Sequence, residues 1–282
     1  MVSPKIKNAV LVILVFVLAL FLSRNLLKLL ELDAGYLVKI LHAYSWYFFP
    51  AVIVSGLLFE FKNIWSNLGL GRGLLNGLAW GLIIALPMML GSCFTGTISE
   101  NLSFVEVFRI SLGAGFIEEF FFRGFLFGLL FRKCGWGFIP AALLCGLVFG
   151  ALHIYQGESF AQALAISAIT AVGGVWFAWL YIEWDENLWL PIFLHTFMNL
   201  SWAVFDISDS GALGGYSANT FRIATIALSV FLTIRLCKKR DRFNINRTNL
   251  LLNSDIQRPS EDESEVEDKS DCLLYTSPSP RD

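Results

Sequence analysis

Long apolar stretches separated by short polar loops fill the chain from its N-terminus to about residue 240. Crossing the roughly 30 Å hydrocarbon core of a bilayer takes about 20 mostly apolar helical residues. Eight stretches reach or approach that length, at 9–30, 36–59, 74–95, 105–131, 137–155, 160–182, 188–205 and 219–236. The pattern predicts an all-α, polytopic membrane protein with about eight transmembrane helices, formed by residues 1–240.

The composition supports this class. Hydrophobic residues make up 56% of the chain and charged residues 16%, with 26 Phe and 9 Trp, which is too apolar for a soluble domain of 282 residues. The first apolar run follows Lys5 and Lys7 and also resembles a signal peptide. Its apolar character resumes through 26–30 without a clear cleavage site, which favours an uncleaved first span.

The basic residues of the loops indicate the orientation, because short cytoplasmic loops carry an excess of Lys and Arg. With the N-terminus inside, the opposite loops hold little beyond Arg24, Lys28 and Arg222. The cytoplasmic segments then hold Lys5, Lys7, Lys62, Arg72, Arg132, Lys133, Arg235, Lys238, Lys239, Arg240 and Arg242. Both termini are therefore predicted to be cytoplasmic.

The character of the chain changes after about residue 240. Residues 241–271 are polar and acidic, most densely at 260–268, and cannot bury enough apolar surface to fold alone, so they are predicted to form a disordered acidic tail. Residues 272–282 resemble an adaptor-derived ending. We interpret them as a cloning or assembly artefact and leave them out of functional reasoning.

Candidate chemistry begins in the fourth apolar stretch, which contains Glu118, Glu119 and Arg123. An ionisable residue inside a membrane span suggests a functional site. Glu119 and Arg123 are four residues apart, the spacing of a helical salt bridge. Glu118 points about 100° away and has no local cation, which suits a proton-transfer group. The alternative is a purely structural ion network.

The fifth stretch combines small residues with a histidine. Ala142, Gly146 and Gly150 have the four-residue spacing that lets two helices approach closely. His153 lies beside this seam, one turn beyond Phe149. A lone histidine on an apolar helix is usually a hydrogen-bonded packing residue, so His153 gains weight only from the other clusters.

The seventh stretch places His195 and Asn199 four residues apart on one helical face. An Asn there can fix one imidazole nitrogen or donate to an oxyanion; the alternative is a polar clamp between helices. At about 1.5 Å per residue, Glu118, His153, His195 and Asn199 lie ~21, ~20, ~14 and ~20 Å from the same predicted loop side. We therefore expect these four residues to converge around one cavity.

Three motifs in this order, Glu-Glu-x-x-x-Arg at 118–123, Phe-x-x-x-His at 149–153 and His-x-x-x-Asn at 195–199, resemble those of the CAAX protease and bacteriocin-processing (CPBP, or Abi) family of intramembrane proteases. The resemblance covers residues 100–205 and implies an eight-span helical core and a glutamate-type peptidase. It implies that Glu118 activates water with help from His153, that His195 and Asn199 stabilise the oxyanion, and that Glu119, Arg123 and Phe149 support the site.

The implied partners are the lipid bilayer and a membrane-associated peptide or protein substrate. Some family members trim prenylated CaaX proteins after the modified Cys, and bacterial relatives are tied to peptide processing or bacteriocin immunity. The wording of the first motif favours a bacterial plasma membrane or an organellar membrane over the endoplasmic reticulum. No cofactor, metal or nucleic-acid partner is predicted.

Three alternatives remain. A zinc peptidase could use Glu118 or Glu119 with His153 and His195, although the chain lacks the His-Glu-x-x-His helix of most zinc peptidases. A non-catalytic membrane binding or immunity protein could keep the polar residues as interhelical contacts. A transporter could use the carboxylates as a proton relay, but the sequence has no internal repeat of the type that marks many transporters.

Overall fold

A computed structural model describes residues 3–100, 102–206 and 213–254, and these residues are mostly helical. The long helices are α1 (Pro4–Leu29), α2 (Tyr36–Phe59), α3 (Leu74–Thr95), α4 (104–132), α5 (Phe138–Ala151), α6 (Phe160–Glu183), α7 (Trp189–Val204) and α8 (Tyr216–Lys239). Short helical turns lie at Phe61–Asn63, Ile64–Asn67 and Ile154–Gln156. One small antiparallel pair joins β1 (Thr97–Ile98) to β2 (Phe205–Asp206).

Among the described residues, six helical segments are long and apolar enough to cross a membrane: α1, α2, α3, α6, α8, and α5 with the turn that follows it. Large apolar side chains cover the outside of the bundle; Leu57, Leu75 and Val172 are 69%, 77% and 70% exposed. A soluble monomer rarely exposes contiguous apolar surface on this scale. The chain is an integral membrane protein. The count of eight spans remains a prediction, because α4 is irregular and α7 has only 16 residues.

One end of the bundle, here called the aromatic end, carries exposed aromatic side chains. Tyr36 at the start of α2 donates to Glu106 at the start of α4, and the β1–β2 pair joins the last turns of α3 and α7. Side chains that are 78% to 91% exposed surround this end: Phe94, Phe104, Tyr155, Phe160 and Tyr216. Aromatic residues favour the interface between lipid and water, so this end suits one membrane surface.

The opposite end, here called the charged end, is held by ion pairs between loops. Arg132 pairs with Glu186 at 2.5 Å, and Arg240 pairs with Asp185 at 2.8 Å. Helix α1 begins here, with Lys5 close to Gly135 in the α4–α5 loop, and α8 ends here. The start of the first helix and the end of the last helix therefore lie on the same side of the bundle.

Helix α4 lies at the centre of the fold and is not a regular α-helix. Two stretches, Arg109–Gly113 and Glu119–Phe127, are π-helical, and every residue of the second is buried. The apolar span predicted over 105–131 is helical throughout, and its pattern does not indicate the two π-helical stretches. π-Helical turns are rare in proteins overall, and those that occur are often found at functional sites.

Neighbouring helices bond to the backbone of both π-helical stretches. Asn199 on α7 donates to the Ile110 carbonyl at 2.9 Å, and the Cys145 thiol on α5 donates to the Phe122 carbonyl at 3.3 Å. A π-helical turn is wider than an α-helical turn and interrupts the regular backbone hydrogen bonds of the helix. A side chain from another helix can then donate to a backbone carbonyl group at the interruption. These contacts tie α4 to both of the other motif-bearing helices.

The segment after α8 is ordered where the structure describes it. Residues 241–254 lie against the charged end, where Asn244 donates its N–H to Glu183 at 2.9 Å and Asn249 accepts from the Phe138 N–H at 2.8 Å. The prediction of disorder from residue 241 is therefore wrong for 241–254, because backbone pairing with helix ends replaces an apolar core. The rest of the predicted tail and the suspected artefact at 272–282 lie outside the described residues.

Candidate active site

Glycine allows the first and third motifs to meet. A Cβ atom added to Gly115 on α4 would lie 2.5 Å from the Thr196 hydroxyl and 2.9 Å from the Thr196 backbone nitrogen on α7. Real Cβ atoms do not approach backbone atoms so closely, so the two helices contact each other directly here. The carboxylates one turn further along α4 consequently reach His195.

The predicted small-residue seam on α5 is confirmed, and its partner is α6. A Cβ added to Gly146 would lie 2.7 Å from the Ala171 carbonyl oxygen, and one added to Gly150 would lie 2.3 Å from that of Ser167. The close approach of α5 and α6 brings the second motif beside α6, which contributes a further residue to the site.

A buried ion pair forms the centre of the site. Glu119 Oε1 lies 3.1 Å from Arg123 Nη1, and both side chains are fully buried. The salt bridge predicted from the four-residue spacing is therefore confirmed. The Arg123 guanidinium lies 4.3 Å from the ring centroid of Phe149 and 5.5 Å from that of Phe177. Cation–π contacts of this kind help to stabilise a charge away from water.

His195 connects the ion pair to the second carboxylate. Its Nδ1 lies 2.8 Å from Glu119 Oε1, and since a carboxylate accepts, Nδ1 donates. This bond turns Nε2 towards Glu118, whose Oε2 lies 3.9 Å away. That distance is too long for a direct hydrogen bond and leaves the two atoms facing the same small space.

The two adjacent carboxylates differ in exposure. Glu119 is fully buried and carries both partners, Arg123 and His195, whereas the Glu118 side chain is 28% exposed. Of the two, Glu118 is the carboxylate that water or a ligand can reach.

His153 lies just beyond the end of α5. The α-helical part of α5 ends at Ala151, and His153 occupies the turn that follows, within the apolar segment Phe138–Gln156 that matches the span predicted at 137–155. Its Nδ1 lies 2.7 Å from the Phe149 carbonyl oxygen, one of the last carbonyls of the helix. A carbonyl only accepts, so Nδ1 donates and Nε2 keeps its lone pair in the neutral ring.

Asn199 uses its amide group as a contact between helices, through the hydrogen bond from Nδ2 to Ile110. This contact is the polar clamp between helices that the sequence analysis gave as an alternative. Direct contacts join Glu119, Arg123 and His195, and Glu118 lies 3.9 Å from His195. His153 reaches this group through Phe149, whose ring centroid lies 4.6 Å from that of the imidazole. Asn199 lies one helical turn from His195. Their convergence around one shared cavity remains a prediction.

Phe177 on α6 is a site residue that the motifs do not indicate. Its ring lies against Arg123 and also 5.5 Å from the His195 ring. The only local signal is the preceding Gly173-Gly174 pair. A Cβ added to Gly174 would lie 3.4 Å from Arg123 Nη2, so this glycine leaves room for the guanidinium.

Metal binding was the basis of one alternative. Within 3–100, 102–206 and 213–254, the structure groups no three His, Cys, Asp or Glu side chains so that they could hold a metal ion. Instead, Glu119 and Nδ1 of His195 bond to each other, and Nδ1 of His153 bonds to the backbone.

Comparison with known proteins identifies the segment that contains the site. A family model described as Rce1-like, type II CAAX prenyl endopeptidase Rce1-like, matches residues 100–201. No curated protein matches the chain. The matched segment holds all three motifs and the buried ion pair. This segment is therefore similar to the Rce1-like family of CAAX-type prenyl endopeptidases, which supports the resemblance inferred from the motifs.

Proposed function

We propose that this protein is an intramembrane endopeptidase in which Glu118 activates the water that attacks a peptide bond. The observation that carries the proposal is the division between the carboxylates inside the family-matched segment. Glu119 is neutralised by Arg123 and His195, while Glu118 is accessible and faces Nε2 of His195. A general base must reach the proton that it removes, and only Glu118 is placed to do so.

The remaining polar groups support proton transfer from the attacking water and stabilisation of the oxyanion. His153 Nε2 keeps a lone pair and assists in moving the protons of the attacking water. His195, oriented by Glu119, stabilises the oxyanion together with Asn199. Orientation of a catalytic imidazole by a buried carboxylate is a recurring arrangement in enzymes. Arg123, Phe149 and Phe177 hold Glu119 in place.

The proposal includes eight spans with both termini in the cytoplasm. Helices α4 and α7 run between the charged and aromatic ends like the six candidate membrane-spanning segments, which supports counting them as spans. The loop residues that the positive-inside rule assigns to the cytoplasm include Arg132 and Arg240, both at the charged end. A bacterial plasma membrane or an organellar membrane remains the proposed location.

The proposed substrate is a membrane-associated peptide or protein. The family description names prenyl endopeptidases, so a peptide carrying a prenylated cysteine near its C-terminus is the first substrate to test. The test uses protein purified in detergent and paired peptides, prenylated and unmodified, with the released C-terminal fragment measured by mass spectrometry. The proposal predicts cleavage that Glu118→Gln abolishes, whereas Glu158→Gln, an exposed change outside the three motifs, keeps it.

A chelator decides between the glutamate mechanism and the zinc alternative. The glutamate mechanism predicts equal cleavage rates with and without chelator. Loss of activity that added zinc restores would replace it with the metal mechanism. A folded protein that binds the peptides and cleaves none would favour the non-catalytic alternative, which the Asn199–Ile110 clamp also fits.

A further inference from the structure

Residues 243–254, here called the C-terminal latch, return across the charged end after α8. Their backbone pairs with the chain between α4 and α5. The bonds are Gly137 N to Leu251 O at 3.2 Å, Phe138 N to Asn249 O at 2.8 Å, Ile139 N to Leu250 O at 2.9 Å and Asn253 N to Gly135 O at 3.0 Å. The latch therefore docks through the main chain, as an added strand would.

This pairing completes the N-terminus of α5. The first N–H groups of a helix have no partner within the helix and need a cap. Gly137 precedes α5 and has no side chain that could provide one. Carbonyl groups from Asn249, Leu250 and Leu251 take that role, so the cap of α5 comes from about 110 residues further along the chain.

The latch also bonds the ends of α4 and α6. The Asn253 side chain donates to the Phe131 carbonyl at 2.9 Å, in a buried position near the end of α4. The Asn244 side chain donates to the Ile182 carbonyl at 2.7 Å, near the end of α6. The buried carboxylate of Glu183 accepts the N–H groups of Asn244 at 2.9 Å and Ile245 at 3.2 Å.

We infer that the latch is a positioning element that fixes the placement of α5 relative to α4 and α6. These three helices carry the groups that meet at the ion pair, namely Glu119 and Arg123 on α4, Phe149 on α5 and Phe177 on α6. Because the latch ties their charged-end termini together, its release lets α5 move away from α4. The inference concerns the folded chain and holds whether or not the protein is a peptidase.

Gly137 offers a selective way to release the latch. A Cβ added there would lie 2.2 Å from the Leu251 carbonyl carbon and 2.4 Å from its oxygen. Both are main-chain atoms and cannot rotate away, so Gly137→Ala should displace the latch. Gly173→Ala on α6 is the matched control, because an added Cβ there meets nothing within 4 Å.

The experiment uses the full-length protein in detergent, with hydrogen exchange and peptide-resolved thiol labelling. Cys145 is a built-in reporter, since it is fully buried on α5 and bonds to α4. Gly137→Ala should raise exchange in the latch and at 138–139 by roughly tenfold or more, because several hydrogen bonds are lost. It should also raise Cys145 labelling by roughly tenfold, while the amides of α7 stay protected and Gly173→Ala matches the wild type.

Latch exchange that rises without any change at Cys145 would overturn the inference, because the latch would then be docked without positioning α5. Unchanged exchange in the Gly137→Ala protein would overturn the docking itself. If Gly137→Ala does not fold, Asn253→Ala replaces it, since it removes only the bond to Phe131, with Ser254→Ala as its exposed control. Asn253→Ala must then raise labelling of Cys145 above the control.

Discussion

At the scale of single residues, neighbouring carboxylates receive different roles from their surroundings. Glu119 is fully buried between Arg123 and His195, and Glu118 is partly exposed with one imidazole nitrogen 3.9 Å away. Burying a charge is costly unless it is paired, so Glu119 depends on its partners and they depend on it. The sequence predicts this division from the position of Arg123 alone, because a helix places residue 119 and not 118 one turn before it.

This division predicts different costs for two matched substitutions. Glu119→Gln should reduce the free energy of unfolding by about 3–5 kcal/mol, because it leaves the buried Arg123 without its counter-ion. Glu118→Gln should cost clearly less. Thermal unfolding of both purified variants in detergent measures the difference. Equal losses, or a larger loss for Glu118→Gln, would reverse the assignment of the two carboxylates.

Asn199 allows its two interpretations to be separated. If its amide faces the oxyanion, Asn199→Ala should lower the cleavage rate per folded molecule by about 10²–10³. Losing the hydrogen bond to Ile110 should cost about 1 kcal/mol of stability in either case. A variant that is less stable yet cleaves at the wild-type rate would identify Asn199 as a clamp only. Activity and thermal unfolding are measured on the same preparation.

At the scale of the helices, apolar periodicity predicts where most of them lie and misses what depends on their neighbours. The Glu119–Arg123 pair and the Gly146–Gly150 seam follow from local spacing and are confirmed. The π-helical stretches of α4 accept hydrogen bonds from side chains of α5 and α7, and local periodicity gives no information about such contacts. Phe177 joins the site only because α6 packs beside α5, and no spacing rule connects it to Arg123.

The close contact between α5 and α6 predicts that the cost of replacing a glycine by alanine depends on whether that glycine lies in the contact. Gly150→Ala should lower stability by about 1–3 kcal/mol, because the new methyl group meets the Ser167 backbone and the helices must separate. Gly173→Ala lies on the same pair of helices in open space and should be neutral or stabilising by up to about 1 kcal/mol. Thermal unfolding decides between them. Equal effects would mean that the seam is not closely packed.

At the scale of the whole molecule, the charged and aromatic ends give the bundle a defined direction. Ion pairs involving Arg132 and Arg240 hold one end, and exposed rings such as Tyr155 and Tyr216 surround the other. The apolar runs and the charges of the loops predict this direction of the bundle from the sequence. They did not predict that 241–254 would be ordered, because that segment is held by backbone bonds to helix ends rather than by apolar burial.

Cysteine labelling tests the orientation. Lys62→Cys lies at the charged end and Tyr155→Cys at the aromatic end, and both native side chains are more than three-quarters exposed. A membrane-impermeant maleimide should label Tyr155→Cys in intact cells and Lys62→Cys only in inverted vesicles, with Cys93→Ser as the background. Labelling with the opposite sidedness would place both termini outside the cytoplasm.

The central claim is that Glu118 drives peptide-bond cleavage without a metal ion. The most direct test compares fragment release by wild type, Glu118→Ala and His153→Ala in metal-free liposomes, with folding of each variant checked by thermal unfolding. The account predicts cleavage by the wild type and none by the two folded variants. A folded Glu118→Ala protein that cleaves at the wild-type rate would contradict it.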